Sequence, residues 1–136
     1  MDYPVEGRET LLPKTFYRLA GSASPGGEDF LSQAALGRPL PISAPHLRRE
    51  WDGLSVFDNV AAIERVGRAR AWKIGAYIIE FSIPDDAPLS FVGPGRSGHW
   101  LIYDASGAML TAEKAVIFLD WIVSIVHGPT GFRVIR

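Results

Sequence analysis

The chain has no cysteine among its 136 residues. That excludes a disulfide framework and a thiol nucleophile, and it removes the ligands of the commonest structural zinc sites. A dominant charge is also missing: 14 Lys and Arg against 15 Asp and Glu leave a net charge of −1. No global field draws nucleic acid or an anionic lipid surface, so neither is an expected partner. Long hydrophobic runs are scarce. The most apolar stretch, residues 115–126, is interrupted by Asp120 and Ser124 and falls short of the roughly 20 residues that a membrane-spanning helix needs. Met1-Asp2-Tyr3-Pro4 is acidic, with no apolar segment behind it, and does not read as a removable leader. The expectation is a cytoplasmic protein, or one exported into a target cell without a cleaved signal peptide. Standard chemical signatures are absent as well. There is no H-E-x-x-H or similar ligand spacing, so no metal is expected, and no G-x-S-x-G elbow for a hydrolase serine.

What is present is ordinary globular composition, with 47% hydrophobic and 21% charged residues. It suits one domain over 1–136 with its own core. Residues 1–13 read as an irregular lead, because Pro4 and Pro13 block regular structure. Thr15-Phe16-Tyr17-Arg18-Leu19-Ala20 is β-prone and stops at Gly21. The stretch 21–45 is rich in Pro and Gly and reads as loop, with room for a short helix over 29–36. Leu54-Ser55-Val56-Phe57 reads as a short strand. Asp58 follows as a helix N-cap, with Val60, Ala61, Ile63 and Val66 at helical spacing up to Gly67. Residues 77–83 alternate cleanly, with Tyr77, Ile79, Phe81 and Ile83 on one face and Glu80 on the other. Residues 85–98 read as a second loop and 100–103 as a strand. Thr111 is expected to cap a long apolar helix over 112–126, and 132–135 to form a last strand.

Several polar residues sit at the ends of these segments. Arg18 could hold a phosphate or carboxylate bidentately, or be a salt-bridged strand arginine. Ser55 could position a ligand hydroxyl, or simply occupy an open strand face. His99, after Gly-Arg-Ser-Gly, could turn into a cleft, or be a loop histidine without a role. Glu80 is either solvated or, under a covered face, paired or shifted in pKa. Residues 93–98 have the glycines of a phosphate loop but lack the Lys-Ser/Thr ending and lead into a strand. They read as a mobile loop bordering a site.

The order Phe16-Tyr17-Arg18, then Leu54-Ser55-Val56-Phe57-Asp58, then His99-Trp100 resembles the ADP-ribosyltransferase-like toxins. In particular it is similar to the type VI secretion effector branch first known from Pseudomonas. The resemblance implies an α+β fold with a small, bent, mixed sheet split around a cleft and a long helix in the C-terminal half. It implies NAD as co-substrate, without a metal. Tyr17, Arg18, Ser55 and Phe57 would bind NAD, with Arg18 on a phosphate, Ser55 on the nicotinamide ribose and Phe57 walling the nicotinamide. Arg18, Ser55, His99 and Glu80 would be catalytic. Partners would be an ADP-ribose acceptor and an immunity or antitoxin protein, with the long helix and the Trp51 and Trp72 regions as contact surfaces. Two departures stand out. Leu54 replaces a threonine, and no Glu-x-Glu or Gln-x-Glu pair lies near the C-terminus, so Glu80 would have to supply the carboxylate. The alternative is a non-catalytic nucleotide-binding or protein-interaction module on the same scaffold. A domain with no small-molecule site would show Arg18, Ser55 and His99 too far apart to share a ligand.

Overall fold

The computed structural model describes residues 14–43 and 45–135. The irregular lead expected at 1–13 lies outside the described residues. Among the described residues seven strands form one sheet: β1 (Thr15–Ala20), β2 (Leu54–Phe57), β3 (Tyr77–Ser82), β4 (Leu89–Val92), β5 (His99–Asp104), β6 (Ile122–His127) and β7 (Phe132–Ile135). Their order is β4-β5-β2-β1-β3-β6-β7, and every pairing is antiparallel. The expected mixed sheet is therefore corrected to an antiparallel one within an α+β domain. Helices are few and short: α1 (Arg48–Asp52), α2 (Val60–Ala69) and α3 (Ala112–Ala115), with 3-10 turns between.

The largest correction concerns residues 112–126. The helix ends at Ala115, a 3-10 segment covers Val116–Trp121, and Ile122–His127 is a strand between β3 and β7. Ile122, Val123, Ile125 and Val126 are β-branched, with side chains that are stiff in a helix and pack well on a pleated surface. A continuous apolar run fits a buried strand as well as a buried helix, and here strand pairing on both sides decides it. A second correction is β4, which forms inside the expected 85–98 loop by pairing Leu89 to Val92 with β5. The short helix expected over 29–36 is instead a 3-10 turn at Gly27–Phe30 followed by hydrogen-bonded turns. The cap of α2 also moves by one residue. Asn59 accepts from the Ala62 amide at 2.8 Å, while the Asp58 carboxylate accepts from the Trp100 indole at 3.0 Å. The helix runs on through Gly67, which was expected to end it.

Strand alternation sends Phe16, Leu54, Val56, Ile79, Phe81, Trp100, Ile102 and Ile125 to one face, where they meet Phe30, Leu110, Ala115 and Phe118. The Phe30 and Phe118 rings stack at 5.1 Å, and Phe30 meets Phe81 edge-on at 5.3 Å. On the opposite face α2 packs over β1 and β2. Its Gly67 and the later Gly128 both lie against the Trp72 ring, which ties the helix end to the β6–β7 turn. No helix among the described residues is long and apolar enough to cross a membrane.

The middle of the sheet is its weakest seam. β1 and β3 pair along six positions, but β1 and β2 meet at one, Tyr17 with Phe57. Beyond that pair the strands part, and the side chain of Arg18 spans the gap.

Candidate functional site around Ser55 and His99

Since Leu54 and Val56 point into the core, Ser55 and Phe57 must point to the other face. The β2–β5 register sets Phe57 opposite His99, so Phe57, Ser55 and His99 share that face. Ser55 Oγ lies 2.6 Å from His99 Nε2, and the Phe57 and His99 rings are 5.1 Å apart. Burial pushes the His99 pKa below its ordinary 6.5. At neutral pH the ring is uncharged, with one nitrogen free to accept a proton.

The approach to His99 is stapled to the start of α2. The Asp58 amide donates to the Gly98 carbonyl at 2.9 Å, and Asn59 Nδ2 donates both to Asp58 Oδ1 at 2.9 Å and to the Ser97 carbonyl at 3.0 Å. Gly95 N donates to the His99 carbonyl at 2.6 Å. Gly98 is needed here. Its φ is +81° and a side chain would run into Asp58 and Asn59.

Register carries the same face across the sheet. His99, Phe57, Tyr17, Glu80 and Ser124 form one transverse row over β5, β2, β1, β3 and β6. Glu80 Oε1 accepts from Ser124 Oγ at 2.7 Å and faces Arg133 Nη1 at 3.8 Å. Burial, and then the charge of Glu80, raise the pKa of Tyr17. At about 5 Å per strand step, Glu80 stands roughly 15 Å from His99 along the backbone, with Phe57 and Tyr17 between. One ribose cannot touch both.

Arg18 occupies the other face. It pairs with Ile79 and shares parity with Phe16 and Ala20. Its Nε donates to the Asp29 carbonyl at 2.7 Å, Nη1 to the Ser55 carbonyl at 2.6 Å and Nη2 to the Leu31 carbonyl at 3.2 Å. Burial lowers its pKa to about 10, against the favourable charge of Asp29, so it remains charged at neutral pH. These carbonyls account for the guanidinium, and the phosphate grip that the resemblance implied for Arg18 gives way to a positioning role. Arg18 holds the Ser55 backbone where the β1–β2 ladder opens.

An open cavity of about 620 Å³ lies between α2 and the start of β5. Phe57 and His99 form one wall, Ala62, Val66 and Arg65 of α2 another, and Arg96 of the loop before β5 a third. Its size is in the range of small-molecule sites, about 300–1,000 Å³. Arg18, Ser55 and His99 therefore fall in one neighbourhood, although Arg18 approaches through backbone from behind. Tyr17, Glu80 and Ser55 are not among the cavity walls, and Ser55 meets the cavity through its hydrogen bond to His99.

Sequence reasoning did not single out Arg65 and Arg96. The available signal was the spacing of Ala62, Arg65, Val66 and Ala69, one helical face with a single cation. Trp51 and Trp72, expected at a partner surface, are half-buried and make contacts within the fold. The Trp51 indole donates to the Arg38 carbonyl at 2.9 Å, and Trp72 packs on Gly67 and Gly128. Among the described residues no group of three His, Cys, Asp or Glu side chains is placed to hold a metal.

No protein-family model, curated protein or solved structure matches this chain.

Proposed function

We propose that the cavity beside Ser55 and His99 binds NAD, and that the protein transfers ADP-ribose from it to an acceptor or to water. The observation that carries this reading is the 2.6 Å Ser55–His99 hydrogen bond at a cavity walled by Phe57 and lined by cationic side chains. The NAD molecule supplies a glycosidic bond whose cleavage returns an electron pair to the nicotinamide nitrogen. Phe57 offers a flat apolar wall to an aromatic ring. Ser55 Oγ, bonded to His99 just behind the cavity wall, would orient the His99 ring toward a ribose hydroxyl. Neutral His99 can take the proton of the incoming nucleophile. Arg18 acts through Ser55, by fixing its carbonyl. Glu80 can stabilise positive charge only on a part of the complex that extends along the row past Tyr17.

The resemblance extends the proposal to a cytotoxic effector acting in the cytoplasm of a target cell, on an ADP-ribosyltransferase-like scaffold, with an immunity or antitoxin protein as partner. The sheet runs unbroken from β4 to β7, so any counterpart of a sheet split around a cleft would be limited to the short β1–β2 seam that Arg18 bridges. Incubation with NAD, followed by quantitation of nicotinamide, tests the reading. Release that falls on Ser55→Ala and His99→Ala supports it, and no release with any acceptor contradicts it.

A second reading is a non-catalytic nucleotide-binding or protein-interaction module. One observation favours it: no described side chain lining the cavity is a carboxylate. Calorimetric NAD binding without nicotinamide release would select it.

A further inference from the structure

Two arginines reach the cavity from different elements and have no assigned work in the fold. Arg65 projects from the middle of α2, and Arg96 opens the turn that leads into His99. Both are exposed, and neither makes a hydrogen bond or ion pair among the described residues. Four other arginines are engaged: Arg38 with Gln33, Arg48 with Asp52, Arg49 with Tyr103 and the Gly107 carbonyl, and Arg133 with Glu80; the exposed Arg68 and Arg70 are as solvated as Arg65 and Arg96 but do not line the cavity. A solvated arginine is ordinary. Two that line one cavity, with no lining carboxylate to offset them, raise its potential and make it a site for an anion. The rest of the lining is apolar and aromatic through Phe57, Ala62 and Val66, so the anion belongs to a larger molecule with a planar group.

The loop carrying Arg96 is held in place rather than free. Ser97 adopts φ +62°, its carbonyl accepts from Asn59, and the Gly98 carbonyl accepts from Asp58 N. Asn59 also caps α2, the helix that carries Arg65. One residue thus fixes both cationic walls relative to each other. Guanidinium groups on two walls suit a pair of linked phosphates, which presents oxygens in more than one direction, and each group can engage them bidentately.

We infer that Arg65 and Arg96 form a clamp for the diphosphate of a dinucleotide, a part that Arg18 cannot fill from the opposite face of the sheet. This inference rests on the NAD reading above, and it assigns the phosphate-binding residues of that site. It also explains how the cavity could favour NAD over the nicotinamide riboside, which lacks the diphosphate.

The test is calorimetric titration of the full chain with NAD, ADP-ribose and nicotinamide riboside. The proteins are wild type, Arg65→Ala, Arg96→Ala and the two lysine variants. Circular dichroism checks that each remains folded. Each alanine variant should weaken NAD and ADP-ribose about tenfold or more while leaving the riboside unchanged, and lysine should restore part of the loss. Wild-type affinity for ADP-ribose should also fall as salt rises, and less so in the alanine variants. If wild type and both alanine variants bind NAD alike, the clamp is overturned and the NAD site stands. If ADP-ribose binding depends on the arginines but NAD is never cleaved, the clamp stands and the catalytic reading falls. If wild type binds neither NAD nor ADP-ribose, the clamp is overturned as well.

Discussion

Arg18 holds Ser55 by the backbone from one face of the sheet while His99 holds Ser55 by the hydroxyl from the other. The two hydrogen bonds are each 2.6 Å long. The serine is thus fixed at both ends, just beyond Tyr17 and Phe57, the register pair that joins β1 to β2. A strand seam that would otherwise leave backbone groups unpaired is closed by a side chain, and the same closure sets the geometry of the candidate site.

Removing that closure should cost stability first. Arg18→Ala leaves the carbonyls of Asp29, Leu31 and Ser55 without their donor. With unsatisfied buried groups at about 1–3 kcal/mol each, the loss should exceed about 3 kcal/mol in urea denaturation. Arg18→Lys should recover only part, because an ammonium cannot reproduce the planar fork. A variant as stable as wild type would remove Arg18 from this role.

His99 should make stability pH-dependent, and the sign follows from its lowered pKa. Between the ordinary value of 6.5 and the lower folded value, the unfolded chain binds the proton more readily. Stability should therefore fall as pH drops below 6.5, and His99→Gln should flatten that part of the curve. If His99 also serves as the base, nicotinamide release should rise with pH through the same lowered pKa and level off before neutrality.

Asp104 should act in the same direction at lower pH. Its carboxylate accepts from Ser106 Oγ at 2.6 Å, from Lys114 Nζ at 2.9 Å and from the Ala108 amide at 2.9 Å, and these hold its pKa well below the usual carboxylate range. The stabilisation is present at neutral pH and is lost as acid protonates the group. Asp104→Asn should lower Tm at pH 7 and reduce the difference between pH 7 and strong acid.

Gly67 separates local propensity from packing. In a helix interior, Gly→Ala ordinarily stabilises by about 1 kcal/mol. Here a Cβ would collide with the Trp72 ring, so Gly67→Ala should destabilise. In a Trp72→Ala background the same change should turn favourable. A double-mutant cycle with no coupling would show that the ring does not rest there.

Much of this architecture could be read from residue alternation. β1, β2, β3, β5 and β7 announce themselves through β-prone runs and flanking Gly or Pro, and Ser55, Phe57 and His99 lie where those runs place them. The run 112–126 suits a helix as well as a strand because an apolar stretch carries no period, and only pairing with β3 and β7 makes its end, from Ile122, a strand. β4 was hidden by the Pro and Gly around it. Its partner β5 supplies half of the information that makes it a strand. Arg18 looked like a ligand residue because its motif gave no face. Its parity with the buried Phe16 and Ala20 sets it on the core side. Arg65 and Arg96 are far apart in sequence, and nothing short of the fold brings them to one cavity.

The most direct measurement is nicotinamide release from NAD by wild type, Ser55→Ala and His99→Ala, with calorimetric NAD binding on the same samples. The account predicts release by wild type and a loss of about 100-fold or more in each variant, with folding intact. Wild-type protein that neither binds nor cleaves NAD, or variants that cleave it as fast as wild type, would contradict it.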